Sequence, residues 1–205
     1  MEYSEIKNIK KNKVTKCVYW FNDDLQSNPA FFAITKNAST TMKNTLNTKR
    51  KEILLFGEKL DRPSFTIIRN PIERFSSSFL EISKSHPQKI IEINEKTLIE
   101  FLNILKKRFW SGIVLPQVYF ISDENGKLIN LDYWLLFDNL KEEFEKMYAD
   151  IGLEHKDIKH DRKTNEHKKA VVVNAMTPKI EKMIIEIYNE DWKLYNKLKN
   201  EYNCN

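Results

Sequence analysis

The sequence predicts an α/β fold in which helices flank a short central parallel sheet. Two apolar segments, Phe31 to Thr35 and Phe65 to Ile68, have the length and composition of buried strands, and each runs into a polar turn and then a helix. The residues between the two strands amount to one helix and a loop, which is typical of a crossover between parallel strands. Both turns are therefore expected at the carboxyl edge of the sheet, where α/β proteins bind their ligands.

The first turn has residues that suit an anion. It begins at Lys36, and a helix is predicted to start near Ser39 and to run to Lys51. The first turn of a helix leaves about four backbone N–H groups without partners, and the helix dipole is positive there. Ser39, Thr40 and Thr41 add hydroxyl donors, and Lys36 adds a positive charge. The same residues also fit an ordinary helix cap beside a surface lysine.

The second turn places another cation at the same edge. Arg69 directly follows the strand, and Asn70, Pro71 and Glu73 have the identities expected of the N-cap, N1 and N3 residues of a helix with a capping box. Ser77 lies about two turns into that helix. The two turns together predict one site with two anion-binding corners.

These two stretches resemble the cofactor motifs of sulfotransferases that use 3′-phosphoadenosine 5′-phosphosulfate (PAPS), most closely the carbohydrate branch, which is the Golgi type. Residues 35–41, TKNASTT, are similar to the 5′-phosphosulfate loop, commonly PK-x-[AG]-[GST]-[ST]-[ST], with Thr35 in place of the proline. Residues 68–77, IRNPIERFSS, are similar to the 3′-phosphate motif, commonly VR-[DN]-P-x-x-R-x-x-S. The resemblance implies a P-loop-like three-layer sandwich and a PAPS cofactor held by Lys36, Asn37, Ala38, Ser39, Thr40, Thr41, Arg69 and Ser77.

The resemblance also implies the chemistry. A base takes the proton of an acceptor hydroxyl as that hydroxyl attacks sulfur, and Lys36 stabilises the charge on the leaving group. Relatives place a histidine or glutamate for this purpose between the two motifs, but this chain has no histidine between Lys36 and Arg69. The carboxylates available there are Glu52, Glu58 and Asp61, and we predict Glu58 as the base. No metal is expected.

The rest of the chain is predicted to surround the two motifs. The predicted elements are an edge strand over 14–21, a helix over 95–109, strands over 118–121 and 132–137, a helix over 141–151 and one long closing helix over 178–199. Asn125-Gly126 predicts a tight turn, and Gly152 fits a helix end. Residues 116–117 resemble the family's PQ segment near the acceptor, so Gln117 either contacts a ligand or makes a structural hydrogen bond. The resemblance spans residues 31–198.

A basic loop over residues 155–169 precedes the closing helix. We predict that it forms a lid over an anionic ligand, with a merely solvated loop as the rival interpretation. A metal site made of His155, His160 and His167 is rejected, because their spacing fits no single helical face and no cysteine or carboxylate completes a set.

Length and charge limit the remaining possibilities. The 205 residues suit a single domain over 1–205, with 1–13 as a flexible lead-in, and the net charge of +5 suggests an anionic ligand or partner. Cys17 and Cys204 form neither a disulfide framework nor a metal motif, which together with the lack of a signal peptide or apolar span predicts a cytoplasmic protein.

More than one function is compatible with these features. A hydroxyl-bearing glycan or small alcohol is the expected acceptor, and no nucleic acid is expected. A nucleotide-dependent phosphotransferase is disfavoured because the GxxxxGK[ST] motif is absent. A non-catalytic binder of RNA or acidic glycans also stays open, as does an inactive relative that keeps the cofactor pocket.

Overall fold

Five strands and seven α-helices make up the part of the chain that the computed structural model describes, which is residues 16–21, 28–55, 60–85, 92–123, 125–154, 156–158 and 166–204. The strands are β1 (Lys16–Phe21), β2 (Ala30–Phe32), β3 (Arg50–Leu55), β4 (Ser64–Ile68) and β5 (Tyr133–Leu136). The helices are α1 (Ser39–Thr45), α2 (Pro71–Ser85), α3 (Glu95–Lys107), α4 (Leu140–Asp150), α5 (Glu166–Asn174), α6 (Pro178–Ile187) and α7 (Asn189–Asn203). Two short 3₁₀ helices cover Gln117–Phe120 and Phe137–Asn139.

The strands form one sheet in the order β3-β1-β2-β4-β5. The three strands β2, β4 and β5 are parallel, with Phe31 opposite Phe65 and Phe65 opposite Tyr133. This confirms the predicted parallel centre. The strands β1 and β3 extend the sheet in antiparallel fashion, and β1 lies between β2 and β3. The strand predicted over 14–21 is therefore present over Lys16–Phe21, but it does not lie at the edge of the sheet.

The predicted helix from Ser39 to Lys51 was also too long. The helix α1 ends at Thr45, and Asn47 takes a left-handed conformation with φ +50°. Asparagine tolerates this conformation better than most residues, and a residue in it ends a helix. The chain then turns back and pairs with β1 as β3, beginning at Arg50.

Helices cover both faces of the sheet because consecutive strand residues point to opposite sides. On one face, Phe31 and Phe65 pack in a core with Phe144 of α4, to which α1 also contributes. On the other face, Phe32 and Ile68 pack in a core with residues of α7. The three-layer sandwich is therefore present. A further apolar core joins α2, α3, α5 and α6, and its buried residues include the predicted α3 stripe of Leu98, Phe101, Leu102 and Leu105.

Residues 118–121 do not form the predicted strand. They lie mostly in a 3₁₀ helix that follows Pro116, and the N–H groups of Gln117 and Val118 donate to the carboxylate of Asp191. These donors are therefore not free for a sheet ladder. The neighbouring turn is present as predicted, because Gly126 has φ +86° and Ser122 bridges Leu128 across it.

The closing helix is two helices rather than one. The break falls at Tyr188, whose backbone has φ −110° and ψ 36° and whose buried hydroxyl donates to the carbonyl of Val114 at 2.8 Å. The predicted helix end at Gly152 is present, with φ +71°. Among the described helices, none combines the length and the apolar composition that crossing a membrane requires.

Some predicted features fall outside the described residues. These are the lead-in over 1–13, His155, His160 and most of the predicted lid. For His167 the structure describes only the backbone, which lies in α5. Within the residues that the structure does describe, no group of three possible metal-ligating side chains occurs.

Candidate functional site

The two polar turns lie side by side at the carboxyl ends of β2 and β4. The guanidinium of Arg69 donates a hydrogen bond to the backbone carbonyl of Lys36, with 3.2 Å between Nη1 and O. The side-chain amide of Asn37 donates to the carbonyl of Ile67, the penultimate residue of β4, at 2.7 Å. The structure thus joins the two turns in a single surface region.

The first turn has an unusual backbone for residues that carry a side chain. Lys36 has φ +69° and Ala38 has φ +56°, and each such left-handed residue costs about 1–2 kcal/mol. Ala38 is followed at once by the helical residue Ser39, and this pairing of left- and right-handed residues is typical of backbone concavities that bind anions. Within this strained turn, Asn37 is fully buried, and its side chain bonds the carbonyl of Ile67.

The Lys36 side chain is the cation closest to this turn that still reaches solvent. Its side chain is 24% exposed, and its Nζ lies 3.7 Å from Oε2 of Glu81 on α2. Burial lowers the pKa of the Lys36 ammonium, the Glu81 carboxylate opposes that effect, and the nearby Arg69 and Lys84 lower the pKa further. The lowered pKa of Lys36 therefore reflects mainly the burial of its ammonium, and a bound anion would oppose this shift.

The guanidinium of Arg69 is fixed by its surroundings. Its Nη2 donates to the carboxylate of Glu73 at 3.1 Å, and its Cζ stands 4.2 Å from the centre of the Phe137 ring. The Arg69 side chain is only 11% exposed, and its buried Nε–H has no hydrogen-bond partner. The site therefore contains a cation whose orientation is set in advance and which retains an unused donor.

Gln117 connects the two turns from below. Its Nε2 donates to the carbonyl of Arg69 at 2.9 Å, and its Oε1 accepts from the N–H of Arg69 at 2.9 Å and from Nδ2 of Asn37 at 2.5 Å. Gln117 is fully buried, so of its two predicted roles it makes the structural hydrogen bonds and does not contact a ligand. It satisfies both backbone groups of Arg69 just where β4 ends.

Two buried residues of opposite charge support the same region. Arg74 is 2% exposed, and its Nε donates to the carbonyl of Thr35, the residue before Lys36, at 3.1 Å. Asp191 on α7 is 1% exposed and provides the opposite charge that interacts with Arg74. Because Asp191 also accepts the N–H of Gln117 at 2.7 Å, one carboxylate supports both turns.

The structure places the remaining predicted cofactor residues near these turns or on the helices that follow. Ser39 and Thr41 are partly exposed and Thr40 is exposed, all in the first turn of α1. Ser77 is partly exposed on α2, and no hydrogen bond engages its hydroxyl within the part of the chain that the structure describes.

The predicted base is not located by the structure, because Glu58 lies outside the described residues. The two further carboxylates considered between the motifs are remote from the site. Glu52, on β3 at the far edge of the sheet, accepts from the Tyr19 hydroxyl, and Asp61 is 88% exposed beyond the amino end of β4.

Sequence reasoning missed three residues that contact the site. Arg74 occupies the second arginine of the 3′-phosphate motif, so it had a signal in the resemblance. Asp191 lies in the predicted closing helix, where it was given no role. Glu81 had only its spacing, since it lies four residues beyond Ser77 and therefore on the same face of α2.

A comparison with protein families gives one match. A family model described as "Sulfotransferase family" matches residues 21–198, which include both polar turns and the Arg74–Asp191 pair. Comparisons with curated proteins and with solved structures gave no significant match.

Proposed function

The chain belongs to the sulfotransferase family, and from this premise we propose that it moves the sulfuryl group of PAPS to a hydroxyl of a carbohydrate acceptor. The observation that carries the proposal is the 3.2 Å hydrogen bond between the Arg69 guanidinium and the carbonyl of Lys36. It means that the two cationic turns lie next to each other. A nucleotide with an anionic group at each end is the ligand that such a pair suits.

The donor set fits the two ends of PAPS differently. The turn over 36–41 offers an ammonium, two left-handed residues and helix-end amides, which together suit the 5′-phosphosulfate. Arg69 and Ser77 suit the 3′-phosphate, because a guanidinium binds phosphate with two parallel hydrogen bonds and a serine hydroxyl adds a further donor. Glu73 would then have to share Arg69 or release it.

PAPS supplies an activated sulfuryl group when it is bound, and the side chains of the site would bind it and stabilise charge. Lys36 would hold a positive charge next to the phosphate oxygen on which negative charge develops during transfer. Donors placed in this way lower the activation free energy of the reaction by roughly 3–4 kcal/mol. Arg69 would anchor the opposite end of the nucleotide and so fix its position relative to Lys36.

The test measures transfer from ³⁵S-labelled PAPS to a panel of glycans and small hydroxyl compounds. We expect Lys36→Ala to reduce transfer by at least about 100-fold while the protein stays folded, since Lys36 is partly exposed. Lys106→Ala is the matched control, because Lys106 forms a comparable ion pair with Glu186 on another face of the molecule. Equal turnover by wild type and Lys36→Ala would refute the proposed role of Lys36.

Binding by calorimetry tests the second turn. We expect Arg69→Ala to weaken adenosine 3′,5′-bisphosphate roughly 10- to 150-fold, which corresponds to the loss of a charge-assisted hydrogen bond. Adenosine 5′-phosphate, which lacks the 3′-phosphate, should lose much less affinity. If Arg69→Ala binds the bisphosphate as wild type does, or weakens both nucleotides equally, the assignment of the 3′-phosphate to Arg69 is wrong.

A further inference from the structure

The carboxylate of Glu81 stands beside Lys36 in the proposed site, one helical turn beyond Ser77 on α2. Its Oε2 lies 3.7 Å from Nζ of Lys36, the ammonium that would contact the phosphosulfate. The side chain of Glu81 is 39% exposed, so its carboxylate is accessible from solvent. A group that touches Lys36 from the solvent side is close to the reacting atoms.

The remaining carboxylates that contact cations of the site are placed differently. Glu73 is bonded to Arg69, at the end of the site proposed for the 3′-phosphate. Asp191 is 1% exposed and binds the N–H groups of Gln117 and Val118, so neither substrate nor water reaches it. Among the residues that the structure describes, Glu81 is thus the carboxylate that both adjoins Lys36 and faces solvent.

We infer that Glu81 is the general base for the acceptor hydroxyl; this inference rests on the proposed function. The hydroxyl gives its proton to the Glu81 carboxylate while its oxygen forms the new bond to sulfur. The bond between sulfur and the phosphate oxygen breaks, and its electron pair stays on that oxygen beside Lys36. The proton then passes from Glu81 to water, which restores the carboxylate, so atoms and charges balance and no other reactant is needed.

The position of Glu81 next to Lys36 explains how a carboxylate can lie close to an anionic ligand. Two negative groups in one site repel each other, and Lys36 between them offsets that repulsion because its ammonium has three donors. The same ammonium thus serves the base and the leaving group.

The decisive variant is Glu81→Gln, which keeps the shape of the side chain and removes its basicity. Transfer is measured with ³⁵S-labelled PAPS and whichever acceptor of the glycan and small-alcohol panel wild type labels best. We expect a decrease of about 100-fold or more, the usual size of general base catalysis. Glu186→Gln is the control, because Glu186 also pairs with a lysine, at 3.1 Å, but lies on α6. It should keep the wild-type rate.

A second readout does not depend on turnover. By calorimetry, Glu81→Gln should bind adenosine 3′,5′-bisphosphate at least as tightly as wild type, since it loses a negative charge near the ligand. Weaker binding in proportion to the lost rate would mean that Glu81 positions Lys36 and is not the base. An unchanged or increased rate would equally overturn the inference. If wild type itself transfers no label, the proposed function fails, and the inference about Glu81 fails with it.

Discussion

Replacing Asp191 by asparagine tests how much of the site depends on the closing helix. The variant keeps the shape of the side chain but removes the negative charge opposite the buried Arg74. It also weakens the acceptor for the N–H groups of Gln117 and Val118, now at 2.7 and 3.0 Å. Removing a buried charge that compensates another costs about 3–5 kcal/mol when the other charge stays in the interior uncompensated.

That cost is large relative to the stability of an ordinary domain, which is about 5–15 kcal/mol. For a chain of this size, each 1 kcal/mol shifts the unfolding temperature by roughly 2–4 °C, so Asp191→Asn should lower it by roughly 6–20 °C. Differential scanning calorimetry measures the shift. Asp150→Asn, an exposed aspartate on α4, is the control and should stay within about 0.5 kcal/mol of wild type.

A double variant separates loss of charge pairing from general damage. In the background of Arg74→Met, the substitution Asp191→Asn no longer leaves a buried guanidinium unpaired. Asp191→Asn should therefore cost at least about 1 kcal/mol less than in wild type, which is the coupling expected of residues in one charge network. Equal costs in the two backgrounds would show that the pair does not support the turns through charge, and the reasoning about Asp191 would be wrong.

Three further predictions concern other parts of the fold. Gln117→Leu leaves the backbone N–H and carbonyl of Arg69 without partners, which should lower the free energy of unfolding in chemical denaturation by about 1–3 kcal/mol for each buried group. The same variant should also bind adenosine 3′,5′-bisphosphate more weakly in a calorimetric titration. Burial raises the pKa of Glu143 to about 7, although its carboxylate accepts from the N–H of Leu136. Wild type therefore loses stability as the pH rises from about 4.5 through 7. Glu143→Gln should unfold at a higher temperature than wild type at pH 8 but not at pH 4.5. Gly152→Ala should cost about 1–2 kcal/mol by thermal unfolding through its φ of +71° alone, since no atom lies within 4 Å of the added methyl group.

The parallel centre of the sheet was predictable because its signals are local. The strands β2 and β4 are short apolar runs, each followed by a polar turn and a helix start, and all of these signals lie within about fifteen residues. The spacing between the two runs then fixed their relative direction. The same local signals placed Lys36 and Arg69 at neighbouring strand ends.

Other elements were mispredicted because their partners are distant in the sequence. The strand β3 pairs with β1, about thirty-five residues away, and nothing inside residues 50–55 distinguishes that strand from a frayed helix end. Gln117 starts a 3₁₀ helix because Asp191, seventy-four residues further along, accepts its N–H. A pattern of apolar residues shows which side chains are buried, but it does not show which distant polar group satisfies a given backbone donor.

The sequence by itself determined the α/β class, the two polar turns and the positions of the cations Lys36 and Arg69, since each depends on residues close together in the chain. Only the tertiary structure decided that Glu81 faces Lys36, that Gln117 satisfies the backbone of Arg69 and that Asp191 supports both turns. The physical reason is that buried charges and amides take their roles from partners brought together by folding.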